Sequence, residues 1–336
     1  MFSIYILTFN EELDIGPCIE SVIQSAPLPQ DLDIVVVDSL SHDRTCEIAN
    51  QYGKTYPVRV IPHSFESHGK QRTWMIRNVE TRYDWAYILE ADERMTPALF
   101  DECLTTVENP SHAGYFAAER VMFMGCWIKH STQYPRYQMR LFDQQKVWFS
   151  DYGHTEREEC EGTTGLLTET YPHFTQGKGF DRWFDKHNTY SSNEAKETVN
   201  QLQNGQIQWR NLLVGSREID RRHALKDLSQ RVPFRPLVRW FYMYFILGGI
   251  LDGRAGFAWC TLQAFYEYMI VLKAWEIQNL PVPTLEKTLT NLSIDLSDNP
   301  NDNLNNTQNI QPNIQPPSNV QRQPVMRVPE PLLSLR

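Results

Sequence analysis

The chain has 336 residues, 41% hydrophobic and 22% charged, which supplies enough apolar material for one large or two modest domains around a substantial core. A formal charge of −9 at pH 7 and a pI near 5.5 exclude broad nucleic-acid binding, because no net positive field exists to displace counterions from a phosphate backbone. The six cysteines form no C-x-x-C pair, and the N-terminus has no basic segment followed by an apolar core and a small-residue cleavage site, so the sequence predicts a reducing, cytoplasmic setting.

Residues 1–110 alternate between strand-like and helix-like stretches. SIYILTF (3–9) reads as a strand, and Ile15, Cys18, Ile19, Val22 and Ile23 follow at helical spacing. LDIVVVDS (32–39) is a second strand, after which Asp43 is placed to cap a helix that Gly53 ends. Next come a strand over 58–63, a helix over 69–80, a strand over 84–92, and a helix opened by Thr96-Pro97 that runs to about Val107. Near-continuous apolar strands alternating with helices predict an α/β fold, a mainly parallel sheet covered on both faces. Residues 113–175 read as strands and loops, with a β-hairpin over 137–149. From Phe180 to Gln278 the pattern is helical, and the Asn-, Gln- and Pro-rich tail over 293–336 has too few apolar residues to offset its ordering entropy, which predicts disorder.

In parallel sheets, ligands sit at the carboxyl ends of the strands around the switch in strand order. Asp38 ends the second apolar strand, Glu90 and Asp92 end the fourth, and TFNEE (8–12) ends the first, so all three open toward one crevice. Solvated strand ends are the ordinary explanation for one such carboxylate; three sets together favour a site. An acid-x-acid pair on a strand points both side chains to one side. Hard cations such as Mg²⁺ or Mn²⁺ bridge carboxylates to a diphosphate, which makes Asp92 the metal-ligand candidate.

YILTFNEE, IVVVDSLSHDRTCEIA, GKQRTWMI and WAYILEADERMTPAL resemble, in order and spacing, the family-2 glycosyltransferases of the GT-A fold, nearest the bacterial branch that builds lipopolysaccharide cores and other surface glycans. The resemblance covers roughly residues 1–275. It implies a nucleotide-sugar-binding half (1–110), an acceptor-side half (111–178), a helical extension (179–280) and the tail (293–336). It further implies that Thr8 and Glu11 lie against the nucleotide, Asp38 bonds the base, Arg72 approaches base or phosphates, and Glu90 meets the ribose. Asp92 would hold a divalent metal, with His173 as a further ligand. Two positions depart from the family pattern: Glu90 stands for Asp, and Thr73 stands for the Asn of Q-R-N.

Inverting transfer needs a base for the incoming hydroxyl. The family places it after the acid pair, and DYGHTERE (151–158) offers Glu156, with Asp151, His154 and Glu158 as competitors. The implied partners are a nucleotide-sugar donor, a UDP-sugar first, and a glycan or lipid-linked acceptor. Arg210, Arg217, Arg221, Arg222, Lys226, Arg231, Arg235 and Arg239 precede WFYMYFILGGIL (240–251), a pattern suited to an anionic membrane surface at the cytoplasmic face of the inner membrane. That apolar run is too short to span a bilayer, which takes ~20 residues. Core packing against a helix over 255–276, through Phe257, Leu262, Phe265 and Met269, explains the same pattern. Competing readings are a binding scaffold that has lost turnover and a sugar nucleotidyltransferase. The latter needs a glycine-rich basic loop where the acidic TFNEELDIGP stands. A dehydrogenase is disfavoured, because no G-x-G-x-x-G follows the first strand.

Overall fold

The computed structural model describes residues 1–204 and 234–280, apart from Gln133, Gly153, His154, Gln176 and Lys178. Strands β1 (Ser3–Thr8), β2 (Ile34–Asp38), β3 (Val58–Pro62) and β4 (Trp85–Glu90) run parallel in the order β3-β2-β1-β4. Helices α1 (Ile15–Ser25), α2 (Thr45–Tyr52) and α3 (His68–Asn78) connect them, and α4 (Pro97–Glu108) follows β4. Side chains alternate across each strand, so the sheet builds two cores. Ile4, Ile6, Ile34, Val36 and Leu89 cluster with Ile19 and Phe100 on one face; Tyr5, Val35, Val37 and Ile88 cluster with Met75 and Ile76 of α3 on the other. The expected α/β architecture, a mainly parallel sheet flanked by helices, is the one observed.

Residues beyond 110 extend this sheet sideways. Strand β7 (Tyr137–Asp143) lies antiparallel to β4 and to β5 (Gly114–Phe123), and β10 (Thr164–Phe174) lies parallel to β5, with the short β6 (Cys126–Trp127) paired to β5. The carboxyl ends of β4, β5 and β10 therefore share one edge with those of β1 and β2.

Two local expectations are corrected. The hairpin over 137–149 does not form: the chain turns after Asp143, but both edges of β7 are already occupied by β4 and β5, so β8 (Val147–Tyr152) pairs instead with β9 (Thr155–Cys160) in a separate two-stranded sheet. Asp43 does not cap α2 in the usual way. Its carboxylate takes the N–H (3.0 Å) and the hydroxyl (2.5 Å) of Thr45, the first helical residue.

The helical extension comprises α5 (Gly179–Asn204), α6 (Arg235–Phe241), a π-helical turn Tyr242–Ile246, a 3₁₀ turn Gly249–Asp252 and α7 (Gly253–Asn279). Trp183, Tyr190 and Val199 of α5 pack on Tyr266, Ile270 and Ala274 of α7. The expected core stripe on α7 is met in part: Leu262 and Met269 pack against buried clusters, whereas Phe257 and Phe265 are 50% and 43% exposed and Cys260, Tyr266, Glu267 and Ile270 are buried. Glu267 faces α6, where Arg235 (2.7 Å) and Arg239 both clasp its carboxylate. Those two arginines of the basic cluster are thus used internally; the other six, and the tail over 293–336, lie outside the described residues. Asp252 ties the extension to the sheet by accepting the backbone N–H groups of Lys129 (3.2 Å), His130 (3.1 Å) and Ser131 (3.2 Å). Among the described residues no helix is long and apolar enough to cross a membrane.

His187 stacks on Trp183 at 3.7 Å between centroids, meets Tyr266 edge-on, and donates Nδ1–H to the Trp183 carbonyl. Burial, aided by Lys186, pushes its pKa from 6.5 down to about 4. The unfolded chain binds this proton through a window in which the folded chain does not, so the contribution to stability is present above pH 6.5 and is lost as pH falls toward 4. Thermal denaturation from pH 7 to pH 4 is expected to show a smaller fall in Tm for His187→Phe than for the parent.

Candidate functional site

The switch in strand order falls between β1 and β4, and the ladder runs on past both strands. Ser39 donates its N–H to the Thr8 carbonyl (2.9 Å) and Ala91 to the Leu7 carbonyl (3.0 Å). This extension brings Thr8, Asp38 and the loop after Glu90 to one edge, as the sequence predicts. Thr8 is 5% exposed, and its hydroxyl has no hydrogen-bond partner among the described residues. Asp38 is 2% exposed; Ser41 donates to it from its N–H (2.8 Å) and from its hydroxyl (2.5 Å).

The loops after β1 and β2 are laced to each other by side chains. The N–H groups of Asn10, Glu11 and Glu12 bond Ser41, Thr45 and Asp43, while those of His42 and Arg44 bond Asn10 and Glu12. Each loop contains one left-handed residue, Asn10 (φ 53°) and Leu40 (φ 64°), a conformation costly for the branched leucine and sustained only where surrounding bonds hold it. Much of the N-E-E and S-x-S-x-D-x-T patterns therefore builds the floor of the site.

At the end of β4 the strand stops earlier than expected. Glu93 donates its N–H to the Glu90 carbonyl (2.9 Å), closing a tight turn, so Glu90 ends the strand and Asp92 lies in the turn instead of two places along an extended chain. Glu93 and Arg94, which sequence reading left without a role, hold this turn. Glu93 is 1% exposed and pairs with the fully buried Arg140 (2.6 Å), while its second oxygen accepts the Glu90 N–H (2.9 Å). Burial, opposed by Arg140, raises its pKa to about 7. Arg94 donates to the carbonyls of Ala91 and Glu93 and reaches Asp14 at the start of α1 (2.7 Å). The available signal was an arginine inside the apolar strand run YQMRLF, since a charge there must find a buried partner.

Arg72 of α3 is 1% exposed. Its guanidinium bonds Glu90 (3.0 Å) and Glu156 (2.6 Å) and lies 5.4 Å over the Phe149 ring, so both terminal nitrogens meet carboxylates. Burial opposes ionisation of Glu90, and Arg140 and Arg72 outweigh it, holding its pKa below the usual value. Glu156 lies on β9 opposite Asp151, and its Oε2 is buried with no partner among the described residues. Of its competitors, Asp151 accepts from Ser67 (2.7 Å), and His154 lies outside the described residues.

His173 closes the site from β10. The end of β10 is zipped to the acidic turn by Phe174 N–H to the Asp92 carbonyl (2.8 Å) and Arg94 N–H to the Pro172 carbonyl (3.0 Å). The imidazole then sits 3.2 Å from Asp92 through Nε2 and 3.2 Å from Glu119 through Nδ1. Burial works against its imidazolium form, but Asp92 and Glu119 dominate and push the His173 pKa well up. Glu119, buried and also paired with Arg136, is driven down to about 2 by these partners against the cost of burial. Sequence reading missed it. Among the described residues no group of three or more His, Cys, Asp or Glu side chains is arranged to hold a metal ion. One carboxylate and one imidazole nitrogen fit a hard divalent cation that takes its other ligands from a diphosphate and water, and fit zinc poorly.

The sequence model of Glycosyl transferase family 2 matches residues 3–159. The lipopolysaccharide core biosynthesis glycosyltransferase LpsC of Rhizobium meliloti (strain 1021) is 24% identical over 297 residues, covering 86% of this chain and 97% of its own. Among solved structures, S. aureus TarS 1-349 in complex with UDP-GlcNAc is 14% identical with a TM-score of 0.40, over 84% of this chain and 93% of that one. The mannosyltransferase PcManGT from Pyrobaculum calidifontis, in complex with GDP-Man and Mn2+, is 12% identical with a TM-score of 0.43, over 82% and 86%.

Removing one partner of a buried ion pair strands the other, at a cost of about 3–5 kcal/mol, whereas replacing both with apolar groups is far milder. Arg140→Leu is therefore expected to lose stability on that order in urea denaturation, and Glu93→Leu combined with Arg140→Leu to recover most of it.

Proposed function

We propose that this chain is a glycosyltransferase of family 2, whose sequence model matches residues 3–159, and an inverting enzyme moving a sugar from a nucleotide-diphosphate donor, a UDP-sugar first, to a hydroxyl of a cell-surface glycan or lipid-linked acceptor. The observation that carries this reading is the convergence of Asp38, Glu90, Asp92 and His173 on one sheet edge, three of them contributed by different strands or strand ends. The name of the Rhizobium relative supports a lipopolysaccharide-type acceptor.

In this reading the buried Asp38 accepts the ring N–H of the base, and the Thr8 hydroxyl gains from the nucleotide the partner it lacks. Glu90, held ionised between Arg72 and Arg140, receives a ribose hydroxyl. Asp92 and His173 would hold Mg²⁺ or Mn²⁺, which supplies neutralisation of the charge that develops on the departing diphosphate. Glu156 is the base: Oε1 is tied to Arg72, and Oε2 is the atom left to take the proton of the acceptor hydroxyl. Residues 210–251 contact the cytoplasmic face of a membrane. Support for this comes from the exposure of Phe234 (77%), Leu237 (67%), Phe241 (56%) and Leu251 (72%) around the short helices there.

A panel of UDP-, GDP- and dTDP-sugars with Mn²⁺ is expected to raise the melting temperature with one nucleotide class, since a ligand of the native state stabilises it. With that donor, Asp92→Asn should lower the metal-dependent release of nucleotide by about 100-fold or more, and Glu156→Gln should lower transfer while leaving the melting shift in place. Binding without metal-dependent turnover in the parent protein would point instead to a silent scaffold. Vesicles containing anionic lipid should co-sediment with the chain, and Phe241→Glu should weaken that association.

A further inference from the structure

The β8–β9 sheet has two strands only, and an isolated pair of this kind is marginal in water, so something outside it must hold it in place. That support comes from one helix. Thr73 of α3 donates its hydroxyl to the Phe149 carbonyl (2.6 Å), and the same oxygen accepts the Phe149 N–H (2.8 Å). In an antiparallel strand the N–H and C=O of one residue point to the same side. Both groups of Phe149 are therefore turned away from β9, onto the open edge of β8, and a single threonine satisfies them as a neighbouring strand would. Phe149 is 4% exposed, and its ring packs into the core beside Phe142, so no bulk water replaces those bonds if they are lost. The same helix meets β8 at two more points. Ser67 bonds Asp151, and Gly69 lies so close that an added Cβ would stand 2.8 Å from the Ser150 carbonyl carbon.

We propose that Thr73, one of the two departures from the Q-R-N and acid-pair patterns, is a positioning residue: it fixes the register of β8 against α3 and so sets Glu156, across the hairpin on β9, beside Arg72. This rests on the reading of Glu156 as the base for its effect on transfer, but not for its effect on the hairpin. The arrangement divides labour along consecutive residues of α3, with Arg72 fixing the carboxylate of β9 and Thr73 fixing the backbone of β8.

The test uses the full chain. Thr73→Val keeps the shape and removes both bonds; Thr73→Ser keeps the hydroxyl. Hydrogen exchange in peptides covering 147–160 is expected to speed up by about ten- to thirtyfold in the valine variant, to stay unchanged in peptides covering β1 to β4, and to return toward the parent rate in the serine variant. With the donor selected by the nucleotide-sugar panel, the valine variant should lose between about ten- and a hundredfold in kcat, with its donor KM within about twofold of the parent. Unchanged exchange over 147–160 overturns the proposal, and so does faster exchange with unaltered kcat. Full transfer activity in Glu156→Gln sinks the assignment of the base and leaves the exchange result standing, so the two failures are separable.

Discussion

The end of β4 gathers Glu90, Asp92 and Glu93 within four positions, and such a concentration of carboxylates at a buried strand end repels itself unless cations come in from elsewhere. Two arginines from distant parts of the chain supply them, and a third braces the turn from within. Arg72 arrives from α3, Arg140 from β7, and Arg94 folds back from the turn itself to reach α1. Each takes a different carboxylate or carbonyl, and together they fix the turn tightly enough to leave Asp92 facing His173. The site therefore depends on buried electrostatics first and on the parallel sheet second. The sheet brings the strand ends together, and the arginines decide which carboxylates remain available.

The same economy of contact recurs in the loops. Where main-chain pairing ends, the chain continues to satisfy its N–H groups through short polar side chains: Ser41, Thr45 and Asp43 serve the loop after β1, and Asn10 and Glu12 serve the loop after β2. These reciprocal bonds, five in all, tie the loop that follows Thr8 to the loop that follows Asp38.

The parallel strands were legible because the runs IVVV and IYIL inside them are apolar without a break, a pattern that burial on two faces explains. The placement of Thr8 and Asp38 at one sheet edge was legible because they end such strands; Asp92 lies two residues past the end of its own. What sequence could not reveal was pairing at a distance. Nothing near Glu93 in the chain announces Arg140, and nothing near His173 announces Glu119; their meeting is a product of strand order. The misread hairpin over 137–149 has the same origin. Its turn was real, but the edges of β7 had been claimed by strands from two other segments, and local signals do not record that. The buried Glu267 of α7 likewise meets two arginines from another helix, a pairing that the stripe of apolar residues does not announce.

The stretch matched to the family ends at residue 159, yet the molecule does not come apart there. His173 arrives on a strand that begins after it, and the carboxylate of Asp252, nearly a hundred positions further on, receives three successive amides from residues 129–131. A protein shortened to its recognisable portion would bare those amides and forfeit one wall of its own crevice. In this chain the residues that the family model matches are fewer than those its packing joins.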